Sequence, residues 1–233
     1  MRLVLLPGLN GSDRLFAPLR PCLDSLHIEC CSIPEQGQQT YAALTEALLP
    51  KLGSSPYVLL GESFSGPLAY AIAQHQPPGL RGVILAASFL QRPHPLLALT
   101  PYLPLPRNLL RAGPLLRLFC VNGQASPELL ELLRGEISQL PTALIRQRLL
   151  TLNQLQAPKQ PLTLPVLHLH ARQDRLITRK AAASVRQHCQ DLRQIDIDGP
   201  HFLLQSQPQA SAKAIRAFIE ELIQQDSAVT EHG

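Results

Sequence analysis

The chain has 233 residues, 45% of them hydrophobic, and a formal net charge of +4. That length can bury a substantial core and suits one α/β domain, and no low-complexity block or solenoid-length repeat interrupts it. Scarce aromatics (4%) and the absence of a basic run argue against nucleic-acid binding, and no apolar stretch reaches the roughly 18 residues of a spanning helix. The opening "MRLVLLPGLNG" is too short in apolar residues for a signal-peptide core. Five cysteines, odd in number and without CxxC spacing, read as free thiols in a reducing compartment. A soluble cytoplasmic protein without stable membrane insertion is expected.

In chain order, "RLVLL" (2–6) predicts a short buried strand ending at Pro7-Gly8, and Arg14 to Leu23 has apolar residues at helical spacing. "HIECCSI" is a second strand, closed by Pro34. Thr40 is placed to cap a helix over "YAALTEALLPKL". "PYVLLG", "FSGPLAYAIAQHQ" and "RGVILAAS" then read as strand, helix and strand. Unbroken aliphatic strands separated by helices predict a mostly parallel sheet with helices on both faces. From about Gln91 to Gln160 the rhythm stops, and prolines and leucine-rich helical stretches replace it: "RNLLRAGPLLRLF", "PELLELLRGEISQL" and "TALIRQRLLTLNQL". Afterwards come strand "LPVLHLHA", helix "RKAAASVRQHC", strand "LRQIDID" and a helix from about Gln209 to Gln225. The expected organisation is a core of residues 1–90 and 161–226, a helical insertion over 91–160, and a frayed tail at 227–233.

"GESFSG" (61–66) stands where a strand meets a helix and nearly spells the G-x-S-x-G turn that presents a nucleophilic serine. Such a turn brings the residues two before and two after the nucleophile together, so both must be small. For Ser63 these are Gly61 and Ser65; for Ser65 they would be Ser63 and Pro67, whose ring fits the contact poorly. Ser63 is therefore the expected nucleophile, with Ser65 a tolerated replacement for glycine at a small packing cost. Serine needs a base, and the base an orienting acid. His201 in "DIDGPHFLLQ" follows a strand in a glycine–proline turn, and Asp174 in "HARQDRLIT" opens the loop after the preceding strand. Asp196 and Asp198 lie too near His201 along the chain to reach behind it easily. His168 and His170 alternate on one strand face like a metal pair, but no third ligand stands at suitable spacing, so packing is their expected role. No metal or other cofactor is called for. His27, His75, His94, His188 and His232 lack a turn context. Two backbone N–H groups must also face a developing oxyanion: those of Phe64, next to the nucleophile, and Leu9 in "PGLNG".

With these residues in place, "LLPGLNG", "GESFSG", "ARQDRLIT" and "GPHF" together resemble the α/β-hydrolase family over nearly the whole chain. The family usually has His-Gly where Pro7-Gly8 stands and glycine where Ser65 stands; neither change removes a catalytic atom. The resemblance implies a Ser63–Asp174–His201 triad with Leu9 and Phe64 as oxyanion donors, and it makes the segment 91–160 a lid. That segment holds eight basic residues against three glutamates, a net +5, while the rest of the chain carries −1. Arg111, Arg117, Arg146 and Arg148 in it could receive an acyl group carried on an acidic acyl carrier protein. Among family members, the pimeloyl-acyl-carrier methyl esterases look similar. The plainer alternative is that these arginines only solvate helices covering a pocket for a small acyl ester. Hydrolysis of an ester or thioester is the leading expectation, beside an acyltransferase and a binding protein that keeps the pocket without turnover.

Overall fold

The computed structural model describes residues 1–102 and 126–231. Six strands, β1 (Arg2–Leu6), β2 (His27–Cys30), β3 (Tyr57–Glu62), β4 (Leu80–Ala86), β5 (Val166–Ala171) and β6 (Leu192–Ile197), form one sheet in the order β2-β1-β3-β4-β5-β6. All neighbours are parallel, with Leu5 opposite Leu60 and Ile84 opposite Leu167. The helices are α1 (Tyr41–Leu48), α2 (Ser65–Gln74), α3 (Pro127–Gln139), α4 (Thr142–Gln154), α5 (Arg179–His188), α6 (Leu203–Ser206) and α7 (Pro208–Glu231). None of them is long and apolar enough to cross a membrane.

The aliphatic runs are unbroken because both faces of the sheet are covered. Val4, Leu6, Leu59, Val83 and Leu85 pack under α1, α2 and α5. Their neighbours Leu3, Leu5, Val58, Leu60 and Ile84 meet Phe16, Leu19 and the α7 residues Ile215, Phe218 and Leu222 on the other side. Strand β4 pairs directly with β5, so the sheet is indifferent to the insertion between them. Two of the expected insertion helices form α3 and α4; "RNLLRAGPLLRLF" lies outside the described residues.

Three expectations need adjusting. Arg14 to Leu23 is not one helix but two 3-10 segments, Asp13–Phe16 and Arg20–Leu23. Pro18 and Pro21 cannot donate the bonds an α-helix needs there, although Leu15, Phe16, Leu19 and Leu23 are buried as their spacing implies. Thr40 does cap α1, accepting from the Ala43 amide at 3.3 Å, but the helix stops at Leu48 and tightens into a 3-10 turn at Pro50. The last helix continues past Gln225 to Glu231, with no proline or glycine to end it before then.

Candidate active site

The order β2-β1-β3 means that the chain leaves β1 toward one edge and returns to the other side of it at β3. The ends of β1 and β3 therefore flank a switch point, where such sheets open a crevice. Ser63 follows β3 there with φ +50°, a left-handed conformation rare for serine. It is held by three bonds: its N–H donates to the Ala86 carbonyl (2.9 Å), and its carbonyl accepts from the Gly66 amide (3.0 Å) and Ser88 Oγ (2.8 Å). The turn is as tight as the small-residue argument requires. A Cβ at Gly61 would stand 2.2 Å from the Ser65 carbonyl oxygen.

Ser65 has a different role from the one expected. It is fully buried, and its hydroxyl donates to the Pro7 carbonyl at 2.5 Å, bonding the turn after β3 to the loop after β1. A glycine at this position would have no such bond to give.

Ser63 Oγ lies 2.8 Å from His201 Nε2, and His201 Nδ1 lies 2.7 Å from Asp174 Oδ2. The three side chains come from the ends of β3, β5 and β6. Asp174 is anchored from behind, its Oδ1 accepting from the amides of Leu176 (2.8 Å) and Ile177 (2.9 Å). With Nδ1–H donating to Asp174, the neutral ring keeps its lone pair on Nε2, facing the serine. Asp196 and Asp198 are engaged elsewhere, the former by His170 and Gln194, the latter by Gln173. Burial works to lower the His201 pKa, but the charge and hydrogen bond of Asp174, with Glu62 adding to them, outweigh it and leave it raised. Glu62 is itself buried beside the ring. Burial raises its pKa, opposed by Gln205, whose Nε2 donates to Oε1 at 2.7 Å, and by His201 and the Gly8 amide.

In the loop after β1, the Gly8 carbonyl accepts from the Gly11 amide at 3.0 Å. A trans peptide points its N–H opposite its carbonyl, so this bond fixes the direction of the Leu9 N–H. The Ser63 carbonyl bonds do the same for the Phe64 N–H. The loop is also gripped from the insertion. Arg148 on α4 is fully buried and donates to the Leu9 carbonyl (2.7 Å), the Pro34 carbonyl (3.1 Å) and Gln39 Oε1 (3.0 Å), its guanidinium 5.9 Å from the Phe64 ring centre. Burial pushes its pKa down to about 10, so it stays charged at neutral pH. From α3, Glu136 accepts from Asn10 Nδ2 (3.2 Å) and from Ser12 Oγ, with Arg14 at 3.5 Å. Tyr41 donates to the Phe64 carbonyl at 2.9 Å.

Arg148 is therefore turned inward and does not face a docking partner: its guanidinium is spent on three acceptors inside the protein. Arg146 is half-buried and donates to the Pro101 carbonyl at 2.9 Å; Arg111 and Arg117 lie outside the described residues. Sequence reasoning missed Glu62, Glu136 and the inward role of Arg148. For the last, a signal existed: Leu144, Arg148 and Leu152 share one helical stripe, so the arginine occupies a core position.

The Alpha/beta hydrolase family profile matches residues 3–214. No curated protein matches the chain. Among solved structures, a thermophilic esterase from Thermogutta terrifontis is similar at 19% identity and TM-score 0.78, over 95% of this chain and 90% of that one. An enol-lactonase from Burkholderia xenovorans is similar at 16% and 0.77, over 94% and 90%. The RedJ thioesterase of Streptomyces coelicolor prodiginine biosynthesis gives 20% and 0.70, over 94% and 90%. At these identities the likeness is one of fold.

Proposed function

The chain belongs to the alpha/beta hydrolase family, and from that premise we propose that it hydrolyses carboxylic esters or thioesters through an acyl-Ser63 intermediate. His201 Nε2 takes the proton from Ser63 Oγ as the oxygen attacks the substrate carbonyl carbon. Asp174 stabilises the resulting imidazolium without taking the proton. The carbonyl oxygen becomes an oxyanion, met by the N–H groups of Leu9 and Phe64, whose peptide planes are already fixed. Collapse of the tetrahedral species breaks the ester bond, and the imidazolium returns the proton to the departing alcohol or thiol. Water, deprotonated by the same ring, then releases the acid and restores Ser63.

The observation that carries this reading is the unbroken relay of 2.8 and 2.7 Å ending on a serine at φ +50°. Gln76 and Ala87 share the left-handed conformation without such a relay, so it is the two together at Ser63 that support the reading. A fluorophosphonate probe is expected to label Ser63 in the folded protein, and Ser63→Ala to abolish both labelling and ester turnover. An unlabelled wild-type protein would overturn the reading.

The finer substrate reading is a carrier-linked acyl ester, of the pimeloyl-carrier methyl ester kind, received by segment 91–160 acting as a lid. Its support is the +5 net charge of that segment and the resemblance given above. Arg148 drops out of the docking set. Arg111, Arg117 and Arg146 remain, and their joint change to glutamate is expected to raise KM for a carrier-bound ester while leaving p-nitrophenyl acetate turnover unchanged. Equal effects on both substrates reject docking and leave the esterase reading intact.

A further inference from the structure

A cavity of about 430 Å³ lies between α5 and the β5–β6 edge of the sheet, with Asp174 and Ser88 in its wall. At its wall stands His168, 1% exposed, and neither of its ring nitrogens completes a hydrogen bond, although Gln194 and the Ser88 backbone lie alongside. A buried imidazole left in this state is costly, and a polar group of that kind in a native structure calls for a partner. Burial and the neighbouring His170 push its pKa down to about 4, so at neutral pH it offers one N–H and one bare nitrogen.

Three guanidinium groups share the cavity with it. Arg179 and Arg186 are one stripe of α5, with Ala182 between them, and the short alanine side chain leaves the space open. Arg172 follows β5. Neither Arg179 nor Arg186 forms an ion pair among the described residues, and both are exposed. The acid lining the cavity, Asp174, and the nearby Asp196 are already committed. Asp174 gives Oδ2 to His201 and Oδ1 to two amides, and Asp196 is held by His170 and Gln194 and influenced by Arg172. Cationic forks therefore outnumber the carboxylates, and they line the same cavity as a buried neutral donor.

We infer that this cavity is a binding site for a phosphate-bearing small molecule, with the phosphate between Arg179, Arg186 and Arg172 and a hydrogen bond from the His168 ring. Guanidinium groups fork phosphate oxygens in pairs, and a phosphate dianion has oxygens enough to engage more than one fork at once. The volume exceeds that of a bare phosphate, which fits a phosphomonoester whose organic part fills the remainder. The cavity shares Asp174 and Ser88 with the surroundings of Ser63, but its three arginines belong to neither the relay nor the turn.

Inorganic phosphate is the probe. Titrated into the wild-type protein at constant ionic strength and followed through the histidine ring resonances by NMR, it is expected to shift His168 saturably, with Kd of about 1 mM or below. Arg179→Gln/Arg186→Gln, changing two exposed residues, is expected to keep the thermal unfolding midpoint and weaken phosphate about tenfold or more. The inference is overturned by a shift that chloride reproduces, by a titration that fails to saturate by about 50 mM, or by equal affinity in a double variant that keeps its midpoint.

Discussion

The two halves of the candidate site are held in different ways. Ser63, Asp174 and His201 stand on loops leaving β3, β5 and β6, and the groups that fix them, Ala86, Ser88, Leu176 and Ile177, belong to the sheet and its edges. The loop after β1 is gripped from the insertion as well, by Arg148 of α4 and Glu136 of α3, with the Ser65 hydroxyl among its ties to the core. In the proposed reaction, proton transfer thus depends on the core alone, whereas the direction of the Leu9 amide also depends on α3 and α4 staying seated. A change in one half should leave the signature of the other intact.

The largest expected effect breaks the core half. Asp174→Asn should lower kcat for p-nitrophenyl acetate by about 10⁴-fold, because the amide no longer selects the productive tautomer of His201. Next, Arg148→Met should lower kcat roughly 10- to 100-fold by freeing the Leu9 carbonyl, while the acid limb of the pH–rate profile keeps its midpoint. Arg148→Lys should recover only part of the loss, since one ammonium cannot span three acceptors. If the midpoint moves together with kcat in these variants, the two halves are not separate.

Ser65→Ala tests the bond between them. It leaves the Pro7 carbonyl without its donor and should cost about 0.5–1.5 kcal/mol in urea unfolding. The smallest effect concerns Glu62. His201 must be neutral to act as base, and its pKa is raised, so activity should rise with pH through a midpoint above the ordinary histidine value of 6.5. The negative charge of Glu62 favours the imidazolium; Glu62→Gln should therefore move that midpoint down, by less than about one pH unit. An unmoved midpoint would mean that Glu62 does not act on the ring.

Much of this was legible before any coordinates. The turn at Ser63 is a local steric problem, settled by Gly61 and the residues beside it, and aliphatic periodicity reports burial wherever the strands lie. What could not be read depends on contacts remote in sequence. The carbonyls that accept from Arg148 lie more than a hundred positions away, and a count of charges treats every arginine as exposed. The 3-10 segments at Asp13–Phe16 and Arg20–Leu23 escaped for another reason: the apolar spacing there is helical, and only the two prolines decide the geometry.

One feature of the turn bears on how such a sequence can change over time. A Cβ at Gly66 would fall 1.7 Å from Ser88 Oγ and 2.6 Å from its Cβ, and Ser88 is the residue whose hydroxyl steadies the Ser63 carbonyl. Positions 66 and 88 should therefore drift as a pair among descendants of this chain, alanine at the first requiring glycine at the second. Grafting this elbow onto another scaffold would demand that both be carried across together.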